Sequence, residues 1–229
     1  MRKILQSLGQ LILPNLCVCC DGYLSHQEII ICDLCSYSLP RYESFDDKES
    51  PLAKKFWGRI ELQNVAGLLN FKGGDNVRKI LHQIKYKGNM KLGIEAGKML
   101  GRRLSTSDKF SDIDIVIAVP LHAKRELSRG YNQSELLVQG IRDVWNKESS
   151  KSAIERIKYN STQTKKNRYE RYINAKEIFK VTEPELLEGK HILLIDDVIT
   201  TGATIEACGA ALLDVKGVKL SVATLAVAY

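Results

Sequence analysis

An α/β chain, with a parallel-sheet core behind a small cysteine-rich module, is what this sequence predicts, and three observations predict it. Apolar runs of strand length, Val65 to Phe71, Ile113 to Val119, Ile192 to Ile195 and Val218 to Val227, alternate with stretches of helical periodicity, the pattern of strands laid side by side under helices. The third of these runs stops abruptly at paired carboxylates, Asp196 and Asp197, and passes through Thr200-Thr201-Gly202-Ala203-Thr204 into a helix with Ile205, Cys208 and Leu212 on one face. Five of the six cysteines fall between Cys17 and Cys35. A length of 229 residues has room for one sizeable domain and one small one.

The elements follow in order. Met1 to Leu13 carries Arg2 and Lys3, then Ile4, Leu5, Leu8, Leu11 and Ile12. Polar residues interrupt this run and no small-residue cleavage site follows, so it reads as a short amphipathic helix ended by Pro14 rather than a signal peptide. Cys17 and Cys20 form one C-x2-C pair, and Cys32 and Cys35 form the second after eleven intervening residues. Two such knuckles present four thiolates to one tetrahedral Zn²⁺, and a segment this small lacks the core to fold without a metal or disulfides. Disulfides are the competing reading, disfavoured in the cytosol. Cys19 is left over, either beside the metal or in place of Cys17, with His26 as an alternative fourth ligand. Residues 1–45 make this module, 46–59 a polar linker, and 60–229 the main domain. Within that domain helices are expected over Asn76 to Tyr86, with Gly88 as C-cap, and over Leu92 to Leu104. A further helix carries Leu136, Leu137, Ile141 and Val144.

The junction after Ile195 is where chemistry concentrates. A strand, a tight loop and a helix N-terminus leave free backbone N–H groups that hold an anion, most often phosphate. The segment Val198-Ile199-Thr200-Thr201-Gly202-Ala203-Thr204 supplies hydroxyl donors and a glycine for close approach. Carboxylates beside a phosphate would repel it, so Asp196 and Asp197 suit ribose hydroxyls a few ångströms away. The plain alternative is an acidic strand end and a threonine cap that bind nothing. Lys124, Arg125 and Arg129 follow the strand ending at Val119, where open α/β sheets take ligands, and suit a pyrophosphate. Ser161 to Arg168, with Thr162, Gln163 and Arg168, reads as a mobile basic lid that excludes water.

Net charge is +7, concentrated in residues 51–110 with thirteen Lys/Arg against four Asp/Glu, and in 151–180 with nine against three. Two basic blocks point to a polyanionic partner, nucleotide phosphates or a nucleic-acid strand. No apolar stretch is long enough to cross a bilayer, and the chain reads as cytoplasmic.

The segment Leu194 to Thr204 closely resembles the phosphoribosyl-pyrophosphate (PRPP) motif of type I phosphoribosyltransferases. Four blocks in order resemble the ComF family of competence-associated proteins: the paired knuckles, Ile84-Lys85-Tyr86-Lys87-Gly88, Val119-Pro120-Leu121 with Arg125 and Arg129-Gly130-Tyr131-Asn132-Gln133, and the PRPP-like motif. A looser fifth block has Thr162, Gln163, Arg171, Asn174 and Phe179, and departs from the family where Thr164, Lys165 and Lys166 replace hydrophobic residues. The resemblance implies a type I phosphoribosyltransferase-like domain behind a zinc ribbon, with Asp196 and Asp197 on ribose hydroxyls and Thr200 to Thr204 around the 5′-phosphate. It implies Mg²⁺ arriving with PRPP, and Arg171 among the lid residues. Two functions follow: PRPP-dependent transfer to an unknown acceptor with release of pyrophosphate, or non-enzymatic handling of single-stranded DNA with the uptake machinery. In the second, Tyr86, Tyr159, Tyr169 and Tyr172 offer stacking surfaces.

Overall fold

The computed structural model describes residues 15–158 and 178–228; the expected N-terminal helix and the lid residues Thr162, Gln163, Arg168 and Arg171 lie outside them, as do Tyr159, Tyr169 and Tyr172. In chain order the elements are α1 Asp33–Ser38, α2 Pro51–Lys54, β1 Val65–Asn70, α3 Asp75–Tyr86, α4 Met90–Ser105, β2 Ile115–Ala118, α5 Ala123–Arg129 and α6 Gln133–Val144. Then come β3 Glu148–Ser150, β4 Ile154–Arg156, β5 Phe179–Val181, α7 Pro184–Leu187, β6 His191–Ile199, α8 Ala203–Leu213 and β7 Lys219–Val227.

Five strands form a sheet in the order β1-β7-β6-β2-β3, every neighbouring pair parallel. This is the α/β parallel core expected from the apolar runs. Alternate residues of β6 face opposite layers: Leu193 and Ile195 pack with α3, α4 and α6, while Ile192 and Leu194 pack with α8. A strand buried on both faces has no polar alternation, which is why Ile192 to Ile195 reads as a solid apolar run. β6 is longer than that run. It continues through Asp196 and Asp197 to Ile199 because β7 still pairs with it, Asp196 opposite Thr224 and Ile199 opposite Val227.

From β2 the chain moves outward to β3, and from β6 it moves the opposite way to β7. The strand order therefore reverses between β2 and β6, the crevice where open α/β sheets bind ligands. Glycines set how closely helices approach on one face. A Cβ on Gly140 would lie 2.0 Å from the Ile94 carbonyl oxygen, and one on Gly97 would lie 2.3 Å from that of Leu137, so α4 and α6 meet backbone to backbone.

The short strands β3, β4 and β5 carry little hydrophobic pattern and were not expected from it. β4 and β5 pair antiparallel. In the stretch read from composition as a linker, Leu52, Ala53 and Phe56 are buried in the α8-side core. Just before it, Arg41 bridges Leu69 and Tyr42 N–H donates to the Leu68 carbonyl, so this stretch lies along the outer edge of β1.

Candidate functional site

Asp196 and Asp197 end the buried stretch of β6, beside the reversal of strand order. Asp197 is 8% exposed, and its Oδ2 lies 2.8 Å from Lys85 Nζ, at the end of α3. Asp196 Oδ1 accepts from the backbone N–H of Asp197 at 2.9 Å and from Ser134 Oγ at 3.3 Å. Burial, then the charge of Asp197, pushes the Asp196 carboxyl up to about 7, against the opposing pull of the Asp197 N–H, Lys85 and Ser134. A carboxyl titrating there exchanges between its protonated and ionised forms near neutral pH, so it can either donate to a sugar hydroxyl or accept from one.

The loop after β6 is braced from behind. Lys55 Nζ donates to the Thr200 carbonyl at 2.8 Å and Arg59 Nη1 to the Thr201 carbonyl at 2.8 Å. Arg59 also reaches the Lys55 carbonyl and, through Nε at 3.1 Å, Glu206 in the first turn of α8. In a trans peptide the N–H points opposite to the C=O. Tying these two carbonyls to Lys55 and Arg59 thus turns the N–H groups of Thr201 and Gly202 to the other side, where no protein acceptor among the described residues takes them. Gly202 is left-handed at φ 79°, and a Cβ there would meet Phe56 at 2.7 Å. Only glycine makes this turn against that ring.

Beyond β2, Lys124, Arg125 and Arg129 of α5 join Lys85, Tyr86, Gly88, Ser128 and Tyr131 around a cleft of about 470 Å³. The Arg129-to-Gln133 block is the joint that holds it. Gly130 ends α5 in the left-handed conformation, Tyr131 OH donates to the Ile84 carbonyl, and Asn132 both caps α6 and donates to the Val119 carbonyl at 3.0 Å. Gln133 accepts from Arg129, whose guanidinium lies 5.4 Å over the Tyr86 ring. Lys85 links the halves, lining the cationic cleft while paired with Asp197.

The structure thus brings Asp196, Asp197 and the loop Val198–Thr204 to one end of the sheet, with Lys124, Arg125 and Arg129 around the neighbouring cleft. Sequence reasoning gave no role to Lys85, Ser134, Lys55, Phe56 or Arg59. Lys85 stood inside the Ile84–Gly88 block and was passed over. Lys55 and Arg59 lay in the presumed linker, and nothing local connects them to a loop more than 140 residues away.

The Sγ atoms of Cys17, Cys20, Cys32 and Cys35 all lie within 4.8 Å of one another, with Cys20 and Cys32 3.8 Å apart. Four thiolates about 2.3 Å from one zinc ion would stand about 3.8 Å apart, so the cluster fits that metal. Burial resists ionisation of Cys17, yet N–H groups of Cys32, Cys20 and Cys19 outweigh it and bring the thiol down to about 6. These four cysteines can hold a zinc ion at the N-terminus of the chain, compatible with a zinc ribbon. Cys19 and His26 are not in the cluster. Cys19 is buried, and its carbonyl accepts from Lys79 Nζ at 2.7 Å.

Residues 128–229 match the phosphoribosyl transferase domain family. The parallel α/β core thus carries, over residues 128–229, a phosphoribosyltransferase-like domain. Among curated proteins it is 31% identical over 155 residues to "Competence protein ComFC" of Bacillus subtilis, covering 66% of this chain and 58% of that protein. It is 27% identical over 129 residues to "DNA utilization protein YhgH" of Escherichia coli K12, covering 55% and 56%. Within the class, these relatives and "Competence protein F" of Haemophilus influenzae, 32% identical over 93 residues and 41% of its length, support the ComF family. The chain spans little more than half the length of the first relatives it matches, about 56% for the DNA utilization proteins. A solved glutamine PRPP amidotransferase of B. subtilis superposes with a TM-score of 0.41 at 18% identity, covering 58% of this chain and 26% of that one. Among the described residues no helix is long and apolar enough to cross a membrane.

Proposed function

We propose that this chain binds PRPP at the β6–α8 junction and transfers its phosphoribosyl group to an acceptor, releasing pyrophosphate. One observation supports the reading: Lys85 lines the cationic cleft and pairs with Asp197, so the acids read as hydroxyl-binding stand one side chain away from the cations read as pyrophosphate-binding. Asp196 and Asp197 take the ribose hydroxyls. Thr200, Thr201, Gly202, Ala203 and Thr204 take the 5′-phosphate, with Val198 and Ile199 leading into the loop. Lys124, Arg125, Arg129 and Lys85 take the pyrophosphate. As the bond from C1 to pyrophosphate breaks, its electron pair leaves with the pyrophosphate, and the acceptor's lone pair forms the new bond to C1. Positive charge on the ribose ring is stabilised by the Asp197 carboxylate and by Asp196 in its ionised form, and negative charge on the leaving group by the four cations. Mg²⁺ bound with PRPP would supply further charge neutralisation, with Asp196 and Asp197 the carboxylates nearest to hold it or its waters. From sequence alone, Thr162, Gln163, Arg168 and Arg171 enter as a lid, residues 1–45 as a zinc-bearing module, 60–229 as the transferase-like domain, and the cytoplasm as the location.

Calorimetric titration with PRPP and Mg²⁺ tests the site: saturable one-to-one binding is expected, lost at least tenfold in affinity in Asp196→Asn/Asp197→Asn. Unchanged binding in that variant would remove the acids from the site. Pyrophosphate release then separates transfer from binding alone.

A second reading has its own support in relatives named for competence and DNA utilization and in the exposed Tyr86 ring under Arg129. Here the chain handles single-stranded DNA without chemistry, and the ribose-phosphate site serves regulation or grips a strand. Steeply salt-dependent binding of single strands without pyrophosphate release would favour it.

A further inference from the structure

We propose that a second cleft, between the last turn of α4 and the stretch Ser36 to Phe45, binds a nucleotide through its phosphate. This cleft of about 540 Å³ is lined by Arg41, Arg102 and Arg103, over a floor that includes Phe45, Leu68 and Met99. None of the three arginines has an ion-pair partner among the described residues. Among the described residues the Arg41 guanidinium donates to the Ser36 carbonyl at 3.4 Å, and Arg103 lies 5.0 Å over the Phe45 ring. Asp46, the nearest acid in sequence to Phe45, is taken by Ser107 and Lys109. Glu43 is the one carboxylate on the lining.

Guanidinium groups converging without a direct ion pair, with Glu43 the single carboxylate on the lining, repel one another. All three are exposed, so solvent screens much of this; even so, partial desolvation and then the charge of Arg103 make the Arg41 proton less firmly held than usual. Arg102 and Arg103 on their own could be explained as cations complementing the C-terminal end of the α4 dipole. Arg41 comes from a separate segment, so position within the helix does not by itself account for its standing beside them. A phosphate among the three would relieve the repulsion, since guanidinium forks match phosphate oxygens. Phe45 is buried beneath Arg103, so the planar guanidinium of that exposed arginine is the face left for the flat base attached to that phosphate. Gly88 lines the first cleft immediately before α4, and Arg102 stands fourteen residues further along. From Met90, where α4 begins, to Arg102 the helix rises about 18 Å at 1.5 Å per residue, which a single strand at about 3.4 Å per stacked nucleotide covers in about five steps. The nucleotide therefore has two sources, a free monophosphate or a unit within a strand.

The test uses the full zinc-loaded chain, titrated with thymidine 5′-monophosphate, a twelve-nucleotide oligodeoxythymidine and inorganic phosphate at several salt concentrations. Arg102→Gln/Arg103→Gln is expected to weaken nucleotide binding about tenfold or more and to lower the salt slope for the oligonucleotide by about 1.4. PRPP binding should be unchanged, which keeps this result independent of the transferase reading. Binding of the oligonucleotide but not the monophosphate identifies a strand; binding of both identifies a nucleotide site. No binding of either ligand, or affinity within twofold of wild type in a folded double variant, overturns the proposal. So does inorganic phosphate binding as tightly as the nucleotides. Arg41→Gln, on the opposite wall, gives the same reading should the double variant fail to fold.

Discussion

Lys85 shows what one side chain decides here. Its ammonium faces a carboxylate on β6 that is mostly buried, and both groups are mostly withdrawn from water. Removing one partner of a fully buried pair costs about 3–5 kcal/mol; the partial exposure of this one brings the expected loss for Lys85→Met to about 2 kcal/mol. Urea denaturation would measure it, and PRPP affinity should fall with it. Asp196 behaves in the opposite sense. Its carboxyl sits at about 7 when folded against 3.8 for the ordinary group, so between pH 4 and pH 7 the folded state keeps a proton that the unfolded chain has lost. Stability from this group is thus fully present below the unfolded value and falls as pH rises towards 7. Asp196→Asn cannot ionise. It is expected to raise Tm at pH 8 and to lose that advantage near pH 4, with each 1 kcal/mol appearing as about 2–4 °C at this size. An equal effect at both pH values would show that the carboxyl is not held up by burial. Not every constellation of reactive types acts. His191 Nε2 lies 2.9 Å from Ser221 Oγ and its Nδ1 3.1 Å from Asp112, but Ser221 is wholly buried and no substrate can reach it.

Between elements, the tightest join is α4 on α6. A methyl on Gly140 would press into the Ile94 carbonyl and the Lys98 backbone nitrogen, neither of which can move without moving α4. Overpacking of this kind typically costs about 1–3 kcal/mol, and Gly140→Ala should cost at least that in chemical denaturation. Gly74→Ala, with open space at its Cβ, should stay within about 0.5 kcal/mol of wild type. A consequence for the site follows from the same join. α6 carries Ser134 to Asp196 and α4 follows directly on the Lys85 turn, so loosening it should weaken PRPP binding as well. The periodicity of α3, α4 and α6 was legible because Val77, Ile80, Leu81 and Ile84, or Leu136, Leu137 and Ile141, recur on one face. Strands of three residues, such as β4 and β5, are too short to impose a period and were not.

For the whole molecule, the cysteine module is part of the same core as the sheet. Cys17, Cys19, Ile30, Cys35 and Leu39 pack in one buried cluster with α3 and α4. Losing zinc should therefore destabilise the entire chain rather than release a separate unit. A chelator is expected to lower a single thermal transition by about 6–12 °C if metal loss costs about 3 kcal/mol. Two separate transitions would show that module and domain fold apart.

The strand-to-helix switch at Asp196–Thr204, the paired knuckles and the apolar strands were readable along the chain, because each is a local pattern of residue types at a period or spacing that physics restricts. Which lysine faces Asp197, which carbonyls of the Thr200–Thr201 turn are tied back by Lys55 and Arg59, and that Leu52 and Phe56 are core rather than linker were decided only by folding. Those contacts join residues far apart in sequence, and their energies depend on burial and distance, quantities that do not exist until the sheet has brought the segments together.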